Sequence, residues 1–505
     1  LESLGYVDKA VDIPLSIAPD TEADYVWRPL QSLSLLSERW GALFSGHEVN
    51  PLWWGLYNWA RESDTYRPRL GEVSRGIRDN NDVPVITKDL VNGLFLSKGY
   101  MSGSVTRLER YQQCPFKFYA QYGLKLEPRR VRSFGAPEIG TFLHANLERL
   151  GNYLLDNNKQ WRDLNEEDQH NLCRTVAEEI LQENQGGEET SDAYQKAIEQ
   201  RVQRTLHVTV DRLVEWSKRS DFDTKYLEQD FGRQGGWDPI RVPLGEDRYL
   251  RLIGQIDRID EYTRDGQTYG MVIDYKSGGA HVTAQDVYYG LKLQLMTYLL
   301  ALESAYGKTK GESIAPAAVV YSYVKNPKIP ADVPISYEDA ISLAKESNAW
   351  QNSGYFSDDV ELLTHIDNKF LSYGSKRGPY VPIATKKDQT ISSRDLRKVK
   401  NPGEFDVMCR YTNHVMAETG RNIGDGQFPI KPYQLNGFRP CTYCDYRTVC
   451  RFDSSRNKYN YLSGLSEDDA LERMKEVLND GNNSNDRNKS NVARISNEGG
   501  ENHGC

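Results

Sequence analysis

The sequence predicts an α/β unit, a few strands flanked by helices, with a mostly helical region ahead of it. Two observations carry this. "YLRLIGQIDRIDEY" (249–262) and "YGMVIDYKSG" (269–278) are strand-like runs joined by the turn-rich "TRDGQT". Helical periodicity then returns in "TAQDVYYGLKLQLMTYLLALESAYG" (283–307), and "APAAVVYSYVK" (315–325) is a further apolar strand. Helices flanking a few strands give that architecture.

In chain order, residues 1–98 read as a separate piece. "WRPLQSLSLLSERWGALF" and "NPLWWGLYNWARES" place Trp and Leu at helical spacing, and the polar "RGIRDNNDVP" follows. A second unit is expected over 99–460. "SGSVTRLERYQQCPFKFYAQYGL" reads as a helix with Ser104 near its N-cap, re-started at Pro115. "EIGTFLHANLERLGNYLL" puts Phe142, Leu143, Leu147 and Leu150 on one helical stripe, and polar helical stretches follow at 164–188 and 190–218. Residues 461–505, with the low-complexity "NDGNNSNDRNKSN", are expected to be a polar, largely disordered tail.

A chain of 505 residues implies two or three units. With 38% hydrophobic and 27% charged residues it reads as a soluble protein with much exposed surface. No apolar run approaches the ~18 residues of a membrane span, and a cytoplasmic location is expected. A start at Leu1 rather than methionine predicts a fragment or a processed chain. The net charge of −9 disfavours nucleic acid taken over the whole chain. Locally the balance reverses: Lys376, Arg377, Lys386, Lys387, Arg394, Arg397, Lys398 and Lys400 stand against Asp388 and Asp395, a net of +6. A smaller cluster is Lys125, Arg129, Arg130 and Arg132. Each is a candidate phosphate-binding face, weighed against a solvated loop.

The segment "VIDYKSG" raises the sharpest question. Asp274 and Lys276 alternate onto one strand face, and burying charge is costly unless it is paired or bound. A salt-bridged edge strand and a metal site with a catalytic lysine are the two explanations. Three neighbours favour the metal site. Asp257, in "GQIDRID", lies one hairpin away, and two converging carboxylates suit a hard cation such as Mg²⁺. His144 follows Gly140, which allows close backbone approach, by one helical turn. Gln294 and Tyr298 share a helix face at i, i+4. Taken singly, His144 could be a core histidine, Arg258 and Asp260 a surface pair, and Gln294 and Tyr298 a buried polar network. The ordered set G-x-x-x-H, D, D-x-K, Q-x-x-x-Y outweighs those separate readings.

That set resembles the PD-(D/E)xK nuclease superfamily in its RecB-type form. The resemblance implies a small mixed sheet flanked by helices. It implies that His144, Asp257 and Asp274 hold divalent metal, Mg²⁺, with the backbone carbonyl of Tyr275 as an extra ligand. It makes Asp257, Asp274 and Lys276 the catalytic residues, the lysine orienting or activating the attacking water, with Gln294 and Tyr298 in support.

The seven cysteines are Cys114, Cys173, Cys409, Cys441, Cys444, Cys450 and Cys505. "CTYCDYRTVC" is a C-x₂-C-x₅-C run, which reads as metal binding rather than as disulfides. Three cysteines leave a four-ligand site one short, and Cys114 in "YQQCPFKFY", 441 − 114 = 327 positions upstream, is the natural fourth. Tying such distant points removes roughly 4–6 kcal/mol of unfolded-state entropy. Spacing alone does not separate zinc from an iron–sulfur cluster.

A Cys-Pro-Phe segment ahead of the nuclease motifs, with C-x₂-C-x₅-C after them, resembles the AddB family, the B subunits of heterodimeric ATP-dependent helicase/deoxyribonucleases. The resemblance covers roughly residues 100–455. It implies a [4Fe–4S] cluster on Cys114, Cys441, Cys444 and Cys450 that staples the nuclease domain. It implies an AddA-type helicase/nuclease partner, DNA ends and single-stranded DNA as substrates, and degradation of the 5′-terminated strand in double-strand-break repair. Cys173, Cys409 and Cys505 match nothing in the family. The family's N-terminal helicase-like region carries a phosphate-binding loop, but no G-x-x-x-x-G-K-[ST] occurs here. Residues 1–98 are therefore expected to be the trailing part of a truncated helicase-like region, with ATP binding an expectation for the full-length protein only. Two rival readings are a catalytically silent DNA-binding scaffold and a zinc-stapled RecB-like nuclease of CRISPR type.

Overall fold

A computed structural model describes residues 26, 28–44, 48–78, 81–97, 99–127, 136–185, 193–245, 247–309, 311–324, 334–346, 350–454 and 456–480. The chain forms two compact units, Leu1–Val83 with Arg451–Lys458, and Pro84–Cys450 with Tyr459–Cys505.

The first unit contains the helices α1 (Pro29–Phe44), α2 (Leu52–Glu62) and α3 (Arg67–Arg78). The regular Trp and Leu spacing becomes their shared core: Leu33, Leu36 and Trp40 meet Trp53, Leu56, Ala60 and Leu70. The 451–458 segment joins this unit through Asn81, whose amide donates to the Arg451 carbonyl at 3.1 Å and to Asn457 Oδ1 at 2.8 Å.

The second unit opens with α4 (Lys88–Phe95), β1 (Leu96–Ser97) and β2 (Tyr100–Gly103). The sequence groups 84–97 with the N-terminal region; here Leu96 pairs with Met101, and the Ile86 N–H donates to the Gly426 carbonyl at 3.1 Å. Ser104 is the N-cap of α5 (Val105–Gln113), and α6 (Pro115–Phe118) re-starts at Pro115, leaving Cys114 in extended backbone between them. Then come α7 (Ala136–Asp156), α8 (Glu166–Gln185), α9 (Ala193–Ser217), β3 (Asp223–Phe231), β4 (Ile240–Gly245), β5 (Arg248–Leu252), β6 (Gly254–Arg264) and β7 (Gln267–Lys276). The chain continues through α10 (Ala284–Tyr288), α11 (Gln294–Thr309), β8 (Ile314–Tyr323), α12 (Tyr337–Glu346), β9 (Ser353–Ser357), α13 (Val360–Ile366), β10 (Val399–Lys400) and α14 (Pro402–Gly424). It ends with β11 (Tyr433–Leu435), α15 (Arg447–Cys450), β12 (Asn460–Leu462) and a helix over 467–480.

The main sheet has the order β10-β9-β8-β7-β6-β3 and is mixed, with β7 parallel to β8 and antiparallel to β6. Alternate residues of its central strands feed two cores. Val272, Val319 and Tyr321 pack with α11 and α14, while Met271, Ile273, Tyr275 and Val320 pack with α7, α8 and α9. Asp274 and Lys276 share the parity of Val272, so they project on the α11 side. β7 is paired on both edges, which removes the edge-strand explanation of its charges.

Three expectations are corrected. "YLRLIGQIDRIDEY" is two strands in two sheets, because the chain leaves the sheet β1-β2-β5-β4 at Ile253 and turns into β6 at Gly254. A Cβ on Gly254 would come within 2.4 Å of the Phe231 ring. The segment 283–307 is two helices rather than one. Its break is Gly290, at φ +68° and with room for no side chain against Gln112. Residues 461–480 are not a disordered tail: they complete β12 and form the 467–480 helix, which buries Ala470, Leu471 and Met474. Residues 481–505 lie outside the described residues.

Candidate active site

The site lies at the C-terminal end of β7, where side chains from both helical layers meet. Asp274 is 1% exposed. Its carboxylate contacts Lys276 Nζ and accepts from Gln294 Nε2 at 2.7 Å. Gln294 closes the set: its Oε1 accepts from Lys276 Nζ at 3.2 Å, and its Nε2 also donates to the Tyr298 hydroxyl at 2.8 Å. The four residues that the D-x-K and Q-x-x-x-Y motifs single out are therefore joined in one contact network.

The other half of the site is a donor cluster. Asp257 Oδ2 accepts from the Tyr275 N–H at 2.7 Å, which holds the hairpin partner against β7. His144 Nδ1 lies 3.5 Å from Asp257 Oδ2 and 3.8 Å from Glu228 Oε1, while Nε2 meets the Tyr275 carbonyl at 3.0 Å. Gly140 permits this approach of α7, since a Cβ there would already sit 3.2 Å from Ser277 Oγ. His144, Glu228 and Asp257 each bring a ligand atom within 4.8 Å of the others. Asp274 flanks this trio and couples to it electrostatically.

Glu228 is not apparent in the sequence, because nothing in "YLEQDF" distinguishes it from an exposed strand glutamate. Its backbone is the signal. β3 shifts register against β6 between Thr224 and Tyr226, and Glu228 has φ +44°, a left-handed conformation that is costly for a side-chain-bearing residue. Such strain persists where the surroundings impose it, often at functional sites.

The electrostatics are those of a site built for positive charge. Burial pushes the Asp274 carboxyl up, and Asp257 adds to this while Lys276 opposes it. Burial likewise raises Asp257, partly offset by His144. Burial pulls His144 down, but Glu228, Asp257 and Asp274 outweigh it and lift the imidazole to about 9. Two carboxylates, a carbonyl and an imidazole form a hard donor set suited to a divalent cation. Asp274 Oδ2 beside them is buried, with its ion pair to Lys276 in place of a hydrogen bond.

A cation needs the imidazole neutral, so binding below about pH 9 must release the His144 proton. Affinity for Mn²⁺ is therefore expected to rise with pH toward about 9, and His144→Ala to flatten the rise. Titration calorimetry across that range checks it. A pH-independent affinity in the parent would show that His144 is no ligand.

The cysteines are arranged less tightly. Cys114 is buried and carries a free thiol, as do the half-exposed Cys441 and Cys444. Cys450 Sγ contacts the Arg447 carbonyl at 3.6 Å. Burial pushes the Cys114 thiol up to about 12 against the backbone N–H groups of Lys117, Phe116 and Lys431, and Cys441 adds to the rise. Cys441 in turn is raised by burial and by Cys444 and Cys450. The two ends of the nuclease-like segment meet where the Tyr446 hydroxyl donates to the Leu126 carbonyl at 3.0 Å. Cys173 and Cys409 are core residues, and Cys505 lies outside the described residues.

Two expectations about charge change. Arg258 and Asp260 pair, but in the interior rather than on the surface, with side chains 3% and 2% exposed. In the 376–400 cluster, Arg377 is held bidentately by the buried Asp395, Lys398 lies 3.9 Å from the same carboxylate, and the buried Lys400 lies 3.5 Å from Glu467. Three of its eight cations are therefore paired with carboxylates of the fold. Of the smaller cluster, Arg129, Arg130 and Arg132 lie outside the described residues.

A mixed sheet with an acidic pair, a lysine two residues on and a helix that braces them defines a class of metal-dependent phosphodiesterase fold. The chain matches the PD-(D/E)XK nuclease superfamily over residues 102–451 and belongs to it. Residues 18–76 match the fifth domain of the ATP-dependent helicase/deoxyribonuclease AddB. Curated relatives include the B subunit of the ATP-dependent helicase/deoxyribonuclease of Clostridioides difficile (strain 630), 30% identical over 86% of this chain and 37% of the relative. Its counterpart in Thermoanaerobacter sp. (strain X514) is 31% identical over the same shares, and that of Exiguobacterium sibiricum is 28% identical over 91% of this chain and 40% of the relative. The chain thus spans little more than a third of the length of these relatives. Among the described residues no helix is long and apolar enough to cross a membrane.

Proposed function

We propose that this chain carries the nuclease centre of the B subunit of a heterodimeric, cytoplasmic helicase/deoxyribonuclease. In this reading it hydrolyses the 5′-terminated strand at DNA ends with Mg²⁺, for recombinational repair, beside an AddA-type partner that supplies ATP-driven unwinding. The observation that carries it is the junction of two sets: Asp274, Lys276 and Gln294 in mutual contact, next to His144, Glu228 and Asp257. A divalent cation held by the second set, together with Asp274 and the Tyr275 carbonyl as the resemblance implies, would supply Lewis acidity and a water of lowered pKa. Lys276 holds positive charge where the pentavalent phosphate becomes more negative. Gln294 and Asp274 fix the ammonium in place, and Tyr298 fixes Gln294. A silent scaffold has no use for a complete set, which disfavours that alternative.

The first unit is, on this reading, the trailing part of a helicase-like region, supported by the match over residues 18–76. DNA labelled at its 5′ or 3′ end tests the polarity. Early release of the 5′ label in short products is expected; early release of the 3′ label would reverse the assignment.

The staple in this reading is a [4Fe–4S] cluster on Cys114, Cys441, Cys444 and Cys450. No three of their sulfurs lie within 4.8 Å of one another. Cys114→Ser is expected to lose iron and gain protease sensitivity as severely as Cys441→Ser. Cys173→Ser and Cys409→Ser should keep iron, although each buries a hydroxyl in the core at about 1–3 kcal/mol. Iron and sulfide content of anaerobically purified variants decides it. Full iron in Cys114→Ser would remove that ligand.

A further inference from the structure

The helix α11 begins without a cap of its own. The residues before Gln294 are Lys292 and Leu293, and neither offers a side-chain oxygen to the first amides of the helix. The acceptor comes from a different helix. Glu109, on α5, accepts from the Leu293 N–H at 2.7 Å and from the Gln294 N–H at 3.1 Å, both on Oε1, across 184 positions of chain. A carboxylate there also meets the positive end of the α11 dipole.

A tertiary cap can be merely structural, but the helix end it fixes is not an arbitrary one. Gln294, whose amide Glu109 takes, is the residue that receives Lys276 Nζ and donates to Asp274. Five residues beyond Glu109, Cys114 is the C-cap of α5. Burial pushes the Glu109 carboxyl up to about 7, against the two amides and Lys276, with Asp274 adding to the rise, so it feels both charged members of the site.

We propose that Glu109 is a positioning residue that ties the Cys114 helix to the reacting groups: it fixes the first turn of α11 and, through Gln294, the place of Lys276 and Asp274. Displacement of α5, as on loss of the Cys114 staple, then reaches the site through this carboxylate. The inference rests on the nuclease reading above.

The test uses the full-length protein, purified without oxygen, as parent, Glu109→Ala and Glu109→Gln. Single-turnover cleavage of end-labelled single-stranded DNA at saturating Mg²⁺ gives the rate. DNA affinity in Ca²⁺ and the thermal midpoint report binding and folding. Glu109→Ala is expected to cleave at least about tenfold more slowly, as misplacement of reacting groups does, with DNA affinity unchanged and a folded thermal transition. Glu109→Gln, which keeps the accepting oxygen, should recover most of the rate. A parent rate in Glu109→Ala overturns the proposal. So does a loss of rate matched by an equal loss of DNA affinity, or one that glutamine does not recover. A parent that fails to cleave overturns the nuclease reading itself, a result distinct from either of these.

Discussion

Lys276→Ala is expected to lower the single-turnover rate of Mg²⁺-dependent DNA cleavage by ~10² to 10³-fold or more, with an unchanged circular dichroism spectrum. The lysine is partly exposed, so removing it leaves no large cavity, and its partners Asp274 and Gln294 keep each other. What is lost is the cation placed between the acidic strand end and the α11 face. Asp274→Ala should be as severe for a different reason: it frees both the ammonium and the Gln294 amide that holds it. The fold should survive this too, because burial already disfavours the Asp274 charge. Parent turnover in Lys276→Ala, with the spectrum intact, would remove this residue from the chemistry.

Asp260→Ala should be the most destabilising single change behind the site, at about 3–5 kcal/mol. Arg258 Nε and Nη2 each lie 2.7 Å from an Asp260 oxygen, and its Nη1 reaches the Tyr275 hydroxyl at 3.4 Å. Its guanidinium lies 5.9 and 5.8 Å from the ring centres of Trp161 and Trp216. Deleting the carboxylate strands a cation in that apolar slot. Replacing both partners, as Arg258→Met with Asp260→Leu, should cost far less, since the desolvation of both charges disappears with the pair. Urea unfolding of the three proteins measures this. A cost below about 1 kcal/mol for Asp260→Ala would mean that the cation reaches water. Because Tyr275 links the pair to the strand that carries Asp274 and Lys276, the same variant should also lose nuclease activity before it unfolds.

The parts of the site that are legible in the sequence are those encoded by period. Strand alternation puts Asp274 and Lys276 together, and helical spacing puts Gln294 and Tyr298 together, without knowledge of the fold. His144 can be joined to them because a glycine one turn earlier signals close approach. Glu228 and Glu109 are not legible. Glu228 depends on a register shift in β3, and Glu109 acts across 184 residues on the backbone of another helix, so neither leaves a local pattern. The same limit explains the misread elements. Leu252 to Gly254 looks like continuous strand, and only the neighbouring Gly103 and Phe231 reveal the change of sheet. Residues 467–480 look polar because only one stripe of that helix, through Ala470, Leu471 and Met474, faces the core.

The most direct measurement is anomalous diffraction from crystals of the protein grown with Mn²⁺. The proposed metal centre predicts a peak within ~2.0–2.6 Å of oxygens from Asp257, Asp274, Glu228 or the Tyr275 carbonyl, the range of hard-cation oxygen contacts, with His144 completing the set and Lys276 alongside. A peak held by other residues, or none at these donors with the site fully ordered, would contradict the metal centre and the nuclease chemistry built on it.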